Sequence, residues 1–255
     1  MNSLNKLISK FQPISLSDMD SVALMNRIDT KYQISAEKAR FILSQLTEDY
    51  KVLQIGGKRN FKYRTIYFDT EEKLLLADHL RGKLNREKVR TREYLGSDKR
   101  FFELKMKTNK GRTVKSRVPK TADSEVIMAA EAEFLYSNSN LDASKLKPAI
   151  DVLFERTTLV SIEYKERITV DFGLSFVLNE KSVSVNELAI IEVKRDGESS
   201  AHTPILKTLK NSSIYPASMS KYCLGMILLN KTERYNNYKP KLLKLNKLAL
   251  NGNIW

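Results

Sequence analysis

The chain has 255 residues, 42% hydrophobic and 29% charged, enough to bury one sizeable core. Its 44 Lys and Arg against 30 Asp and Glu give a formal charge of +14, which implies an anionic partner: nucleic acid, an anionic membrane surface or a phosphate-rich small molecule. One cysteine, Cys223, excludes an internal disulfide, two histidines argue against a histidine-built metal site, and no apolar run is long enough to span a bilayer as a helix, so a cytoplasmic protein is expected.

Residues 24–34, LMNRIDTKYQI, predict a strand. Ser35 suits a helix N-cap, with Glu37 in the first turn and Ala39, Ile42, Leu43 and Leu46 as an apolar stripe running to about Tyr50. GGKRN (56–60) reads as a turn and YRTIYFD (63–69) as a strand. Thr70 is placed to cap a short helix, EEKLLLADHL, closed near Gly82. REKVRTREYLGSDKRFFELKMKTNKGRTVKSRVPK (86–120) then reads as three strands broken by GSDK and TNKG. Residues 121–137 predict a helix, and SNSNLDASKLKP a loop. DVLFERTTLVSIEY and KERITVDFGLSF predict a pair of strands, and ELAIIEVKR (187–195) another. Two helices, about 203–211 and 217–229, complete the body, with Cys223 as a small core residue. The tail 231–255 sets leucines among lysines, a basic amphipathic helix that packs on the domain or touches a membrane surface. The class is α+β, mainly antiparallel β, and about eight strands suffice to close a barrel.

Side chains alternate across a strand, so residues two apart share a face. On that basis Lys88, Arg90 and Arg92 align, as do Glu103, Lys105 and Lys107, then Lys115 and Arg117. Arg27, Asp29, Lys31 and Gln33 do the same, as do Lys165, Arg167, Thr169 and Asp171, and then Glu192 with Lys194. Arg156 stands among apolar neighbours. A sheet with one dry and one solvated face accounts for any single strand. Recurrence in nearly every strand argues for a charged lumen instead, because so many buried cations need an anion to neutralise them. A polyphosphate chain or a nucleoside triphosphate suits, since Arg offers paired donors and Lys compact charges. The carboxylates Glu103, Asp171 and Glu192 are candidates to hold Mg²⁺ or Mn²⁺. No Walker A sequence, dinucleotide fingerprint or kinase motif set is present, and His79 reads as a packing or surface residue.

The order RIDTKYQI, YRTIYFDT, KVRTREY, FFELKMK, RTVKSRV, FERT, ERITVDF, IIEVK and MSKY resembles the VTC domain, the polyphosphate polymerase domain of the triphosphate tunnel metalloenzyme (CYTH) superfamily, from about residue 11 to 229. The resemblance implies an antiparallel eight-stranded β-barrel, the triphosphate tunnel, with helices packed outside, spanning residues 1–230. It implies transfer of the γ-phosphoryl group of a nucleoside triphosphate to a polyphosphate chain, assisted by Mn²⁺ or Mg²⁺. The family's phosphate-binding residues fall on Lys31, Arg90, Arg92, Lys105, Lys115, Arg156, Arg167, Lys194 and Lys221, and its metal-binding glutamate on Glu192. Strand parity adds Arg27, Lys88, Arg117 and Lys165 for substrate, and Glu103 and Asp171 for metal. The hydrolase and cyclase branches begin Glu-x-Glu-x-Lys; here Arg27-x-Asp29-x-Lys31 stands at that spacing, which fits the polymerase branch better. Neither a regulatory SPX domain nor a membrane segment is evident, so a standalone cytosolic enzyme is expected, with any membrane partner separate.

Two rivals follow: a metal-dependent triphosphatase and a non-catalytic polyanion-binding module. Nucleic-acid binding ranks last, because the aromatics are expected mostly on the face opposite the cations.

Overall fold

Period-two patterning builds one long curled sheet, described in a computed structural model over residues 3–20, 27–110, 112–121, 125–196, 202–230 and 235–248. α1 (Ser3–Ile8), β1 (Gln12–Ile14) and α2 (Leu16–Asp20) precede the first long strand, β2 (Arg27–Ser35). α3 (Ala36–Ser44) starts where expected: extended Ser35 accepts a hydrogen bond from the Lys38 amide at 3.1 Å, and Ala39, Ile42, Leu43 and Leu46 are fully buried. β3 (Lys51–Leu53) leads through a tight turn to β4 (Asn60–Asp69); Gly56 and Gly57 both take positive φ there, which hairpin turns require.

α4 (Leu74–Leu80) begins later than the sequence suggests. Thr70 Oγ1 accepts only the Leu74 amide, while buried Asp69 accepts the Leu75 and Leu76 amides at 2.9 Å and the Tyr222 hydroxyl. β5 (Arg86–Leu95), β6 (Arg100–Lys107) and β7 (Thr113–Pro119) form the expected meander. The helix expected over 121–137 is shorter, α5 (Ala129–Asn138). β8 (Lys147–Ser161), β9 (Glu166–Leu178), β10 (Lys181–Val185) and β11 (Leu188–Asp196) follow, then α6 (Pro204–Asn211), α7 (Lys221–Asn230) and α8 (Lys239–Leu248).

The main sheet runs β2-β11-β9-β8-β4-β5-β6-β7, each neighbour antiparallel. β2 and β7 are its two ends, and among the described residues they do not pair. The eight strands therefore make a half-barrel rather than a closed one.

The convex face is apolar. Ile34, Ile168, Val170, Ile191 and Val193 meet the stripe of α3 and Ile205 and Leu209 of α6, while Ile66, Phe68, Val89, Phe102 and Leu104 bury Leu135 of α5. The concave face is divided. One half carries the charges; the other presents Tyr67, Ile150, Val152, Phe154, Phe176 and Ile190. Gly173 creates this division: at φ 57° it bulges β9, so Asp171 and Phe176, five residues apart, face the same side. α3, α5 and α6 pack outside as expected, and α7 covers the apolar half of the concave face with Tyr222, Met226 and Ile227. Leu242 and Leu245 of α8 join this core, Cys223 is buried in it, and residues 231–234 of the tail lie outside the described residues. Among the described residues no helix is long and apolar enough to cross a membrane.

Candidate functional site

Register places the charged side chains in rows across the concave face. Lys88, Lys105 and Lys115 stand directly opposite one another on β5, β6 and β7, and Arg90, Glu103 and Arg117 form the next row. On the other wall Lys31, Glu192 and Thr169 form one row and Asp29, Lys194 and Arg167 the next. At the back, Arg156 of β8 faces Asp171 of β9.

All three predicted metal carboxylates lie beside cations, two of them within 3 Å. Glu103 receives Arg90 Nε at 2.7 Å on one oxygen and Lys115 Nζ at 2.7 Å on the other. Asp171 receives Arg156 Nε and Nη2 at 2.6 and 2.8 Å, and Lys221 Nζ as well. Burial would raise both carboxyls, but their cations prevail, holding Glu103 down to about 2 and Asp171 well below the usual carboxylate range. Both are thus held ionised between cations, which leaves their proposed role as metal ligands dependent on displacing those partners. Glu192 is also paired, with Lys194 at 3.1 Å and Lys31 at 3.4 Å, and it lines a cavity of about 1160 Å³. Burial raises it and Lys194, Lys31 and Arg156 lower it further, so it stays ionised.

That cavity is bounded by Lys31 and Asp29 of β2, by the lysine row of β5–β7 with Arg86 and Lys107, by residues 216–220 and by Lys241 of α8. Among the described residues neither Lys88 nor Lys105 has a carboxylate within ion-pair distance. Burial and neighbouring cations push Lys88 down to about 7 and Lys105 to about 8; Lys115 and Lys221 also fall to about 8, chiefly through burial. The Arg92 Nε–H is buried without a hydrogen-bond partner among the described residues. Such groups suit an anion that restores their preferred charged state and supplies acceptors.

Aromatics share this face, contrary to the expectation that they take the opposite one. Tyr63 stacks on Phe154 at 5.1 Å between ring centroids; Arg156 lies over both, and Lys221 Nζ is 4.2 Å from the Phe154 centroid. Arg92 lies over Tyr63, and Arg90 donates to the Tyr67 hydroxyl at 3.3 Å. Tyr63, Thr65 and Tyr67 at alternate positions of YRTIYFD carried this signal, as did Phe154 two residues before Arg156.

The remaining candidates are placed as follows. Arg167 faces inward opposite Lys194, with Nη2 donating to the Met19 carbonyl at 3.3 Å. Arg117 is exposed on edge strand β7, its guanidinium 4.5 Å from the Phe101 ring. Lys165 does not join the face: it is exposed in the turn before β9, at φ 44°, because the β8–β9 hairpin turns there. The Arg27 side chain lies outside the described residues.

The donor set fits a hard divalent ion held largely by its substrate. Among the described residues no three His, Cys, Asp or Glu side chains converge, as a cage made wholly by protein needs. Glu192 and Asp29 border one cavity, and one or two carboxylates plus substrate phosphates are the usual setting for Mg²⁺. Asp29, which stands at the second glutamate of the Glu-x-Glu-x-Lys spacing, was not among the carboxylates expected to hold metal.

No match was found among curated proteins. Among solved structures, a candidate adenylate cyclase from Bacillus halodurans superposes with TM-score 0.50 at 19% identity, covering 76% of this chain and 94% of that one. A candidate adenylyl cyclase from Hippeastrum, described as having a dominant triphosphatase activity, superposes at 0.51 with 14% identity, covering 78% of this chain and 94% of that one. At such identities the likeness is one of fold. The VTC domain profile matches residues 26–230, four-fifths of the chain, and the chain, with its half-barrel and rows of cations, belongs to the VTC domain family.

Proposed function

We propose that this protein is a polyphosphate polymerase-type phosphotransferase, moving the γ-phosphoryl group of a nucleoside triphosphate such as ATP onto a polyphosphate chain. The observation that carries this reading is the Lys88–Lys105–Lys115 row, facing Glu192 across one cavity and poor in carboxylate partners. Phosphoryl transfer asks little covalent work of a protein: it needs alignment of donor and acceptor and neutralisation of phosphate oxygens. Arg90, Arg92 and Arg156, held by Glu103, Asp171 and the aromatic rings, would orient phosphates; the lysine row would neutralise them. The attacking terminal phosphate is already anionic, so no general base is required. Glu192 and Asp29 would hold Mn²⁺ or Mg²⁺, which when bound supplies charge neutralisation on the transferring group. A cytoplasmic location and the absence of a nucleic-acid role belong to the same reading.

Incubation of purified protein with ATP and Mn²⁺, followed by electrophoretic separation of products, tests it. Growing chains are expected. Orthophosphate alone would reject the polymerase in favour of a triphosphatase, a second reading in keeping with the sheet ends β2 and β7 not pairing among the described residues. Binding without turnover would leave a polyanion-binding module.

A further inference from the structure

One corner of the cavity is built from four elements, of which the chemistry above uses Lys88 alone: His79 of α4, Arg86 and Lys88 of β5, Ser220 before α7 and Lys241 of α8. Arg86 Nε donates to His79 Nδ1 at 3.1 Å, and Arg86 Nη1 donates to the Lys83 carbonyl. Burial, with Lys88 and Arg86 beside it, pushes the imidazole down to about 2, so the ring is neutral. A neutral ring that accepts at Nδ1 carries its proton at Nε2. That Nε2–H faces Lys88 Nζ at 3.5 Å, and Lys88 Nζ donates to Ser220 Oγ at 3.0 Å.

Two donors thus converge on one point from different elements. The charged and titratable groups around them are Lys31 from β2, Arg90 on the same strand, Lys105 from β6, Lys241 from α8 and the Cys223 thiol from α7. All but the thiol are cations. The chemistry that suits such a pair is a shared anionic oxygen, which accepts from both and is drawn by every cation nearby. In the sheet order β5 lies four strands from β11, so this corner is on the wall opposite Glu192. The cavity, at about 1160 Å³, also exceeds the roughly 300–1,000 Å³ usual for small-molecule sites, which leaves room beyond one triphosphate group.

We propose that His79, Lys88 and Ser220 form a phosphate subsite on the β5 wall, binding one phosphate of a linear polyphosphate, with Arg86 as the positioning residue that fixes the His79 tautomer. The subsite rests on the proposed function, since both need a phosphate chain in this cavity. Lys241 extends it from α8, which lies beyond the residues matched by the family profile.

The test is calorimetric titration of inorganic tripolyphosphate into metal-free protein, comparing wild type with H79F, H79Q and K88M, each first checked for an unchanged thermal unfolding transition. H79F and K88M are expected to weaken binding about tenfold, the worth of one charge-assisted hydrogen bond. H79Q keeps an amide N–H near the Nε2 position and is expected to stay within about threefold of wild type. Wild-type affinity in H79F overturns the subsite, and so does an H79Q loss equal to that of H79F. Should H79F fail to fold, wild-type affinity in K88M overturns it instead. A wild-type protein that binds no tripolyphosphate overturns the proposed function itself.

Discussion

Arg156 and Asp171 stand opposite one another on β8 and β9 and close a two-pronged ion pair, Nε to Oδ1 at 2.6 Å and Nη2 to Oδ2 at 2.8 Å. Lys221, the first residue of α7, donates to the same carboxylate. One buried aspartate therefore orients a guanidinium, ties a helix to the concave face and offsets two of the cations gathered there. Breaking a buried pair from one side costs more than the pair is worth, because a buried charge is left behind.

Asp171→Asn is accordingly expected to destabilise the fold by about 3–5 kcal/mol in denaturant unfolding. The pH dependence carries the same signature. Because the folded-state pKa of Asp171 lies below its unfolded value, its contribution is complete above about pH 4 and is lost as pH falls towards the folded value. Wild type should lose more stability than Asp171→Asn between pH 6 and pH 3. A variant within 1 kcal/mol of wild type at pH 7 would show that the pair is not an important support.

Gly225 lets α7 pack tightly against the sheet. A Cβ there would meet the Phe176 ring and stand 2.6 Å from Ile150 Cδ1, both side chains buried in the core. Gly225→Ala is expected to destabilise by about 1–3 kcal/mol through overpacking, despite the better helix propensity of Ala. Thermal unfolding of the variant, with Gly225→Ser as a second enlargement, decides this; a gain in stability would mean that α7 is not seated on the concave face.

The alternating strands were legible because each repeats a two-residue period over seven residues or more, and the period also gave most of the inward-facing charges. What it could not give was phase across a bulge. Gly173 shifts β9 by one residue, so Phe176 turns inward and the concave face acquires an apolar half that α7 covers. Nor does period reveal pairing: Glu103, Asp171 and Glu192 alternate alike, and which cations meet each of them is decided by the neighbouring strands and α7. His79 lay outside the strand pattern, on a helix of seven residues, where a single polar residue carries no periodic signal.

The lysine row makes the unliganded protein sensitive to pH in the direction opposite to the usual one. Folded Lys88 titrates near 7 and Lys105 and Lys115 near 8, all below the unfolded value of about 10.4. Between those limits the unfolded chain binds more protons, so these residues make unfolding harder as pH rises from about 7 to about 10. Tripolyphosphate should reverse this by favouring the charged lysines, and its binding at pH 8.5 should take up protons. Titrations in buffers of different ionisation enthalpy measure that uptake directly; proton release or no exchange would contradict it.

Glu192→Gln separates the metal from the cations. Removing this carboxylate from beside Lys31 and Lys194 leaves two cations less compensated, so metal-free tripolyphosphate should bind at least as tightly as to wild type. Turnover of ATP with Mn²⁺ should fall about a hundredfold or more, as loss of a metal's charge stabilisation implies. The two readouts move in opposite directions, which simple unfolding cannot imitate, since it weakens both. Equal Mn²⁺ dependence in Glu192→Gln and wild type would instead move the metal role to Asp29, the other carboxylate bordering the same cavity.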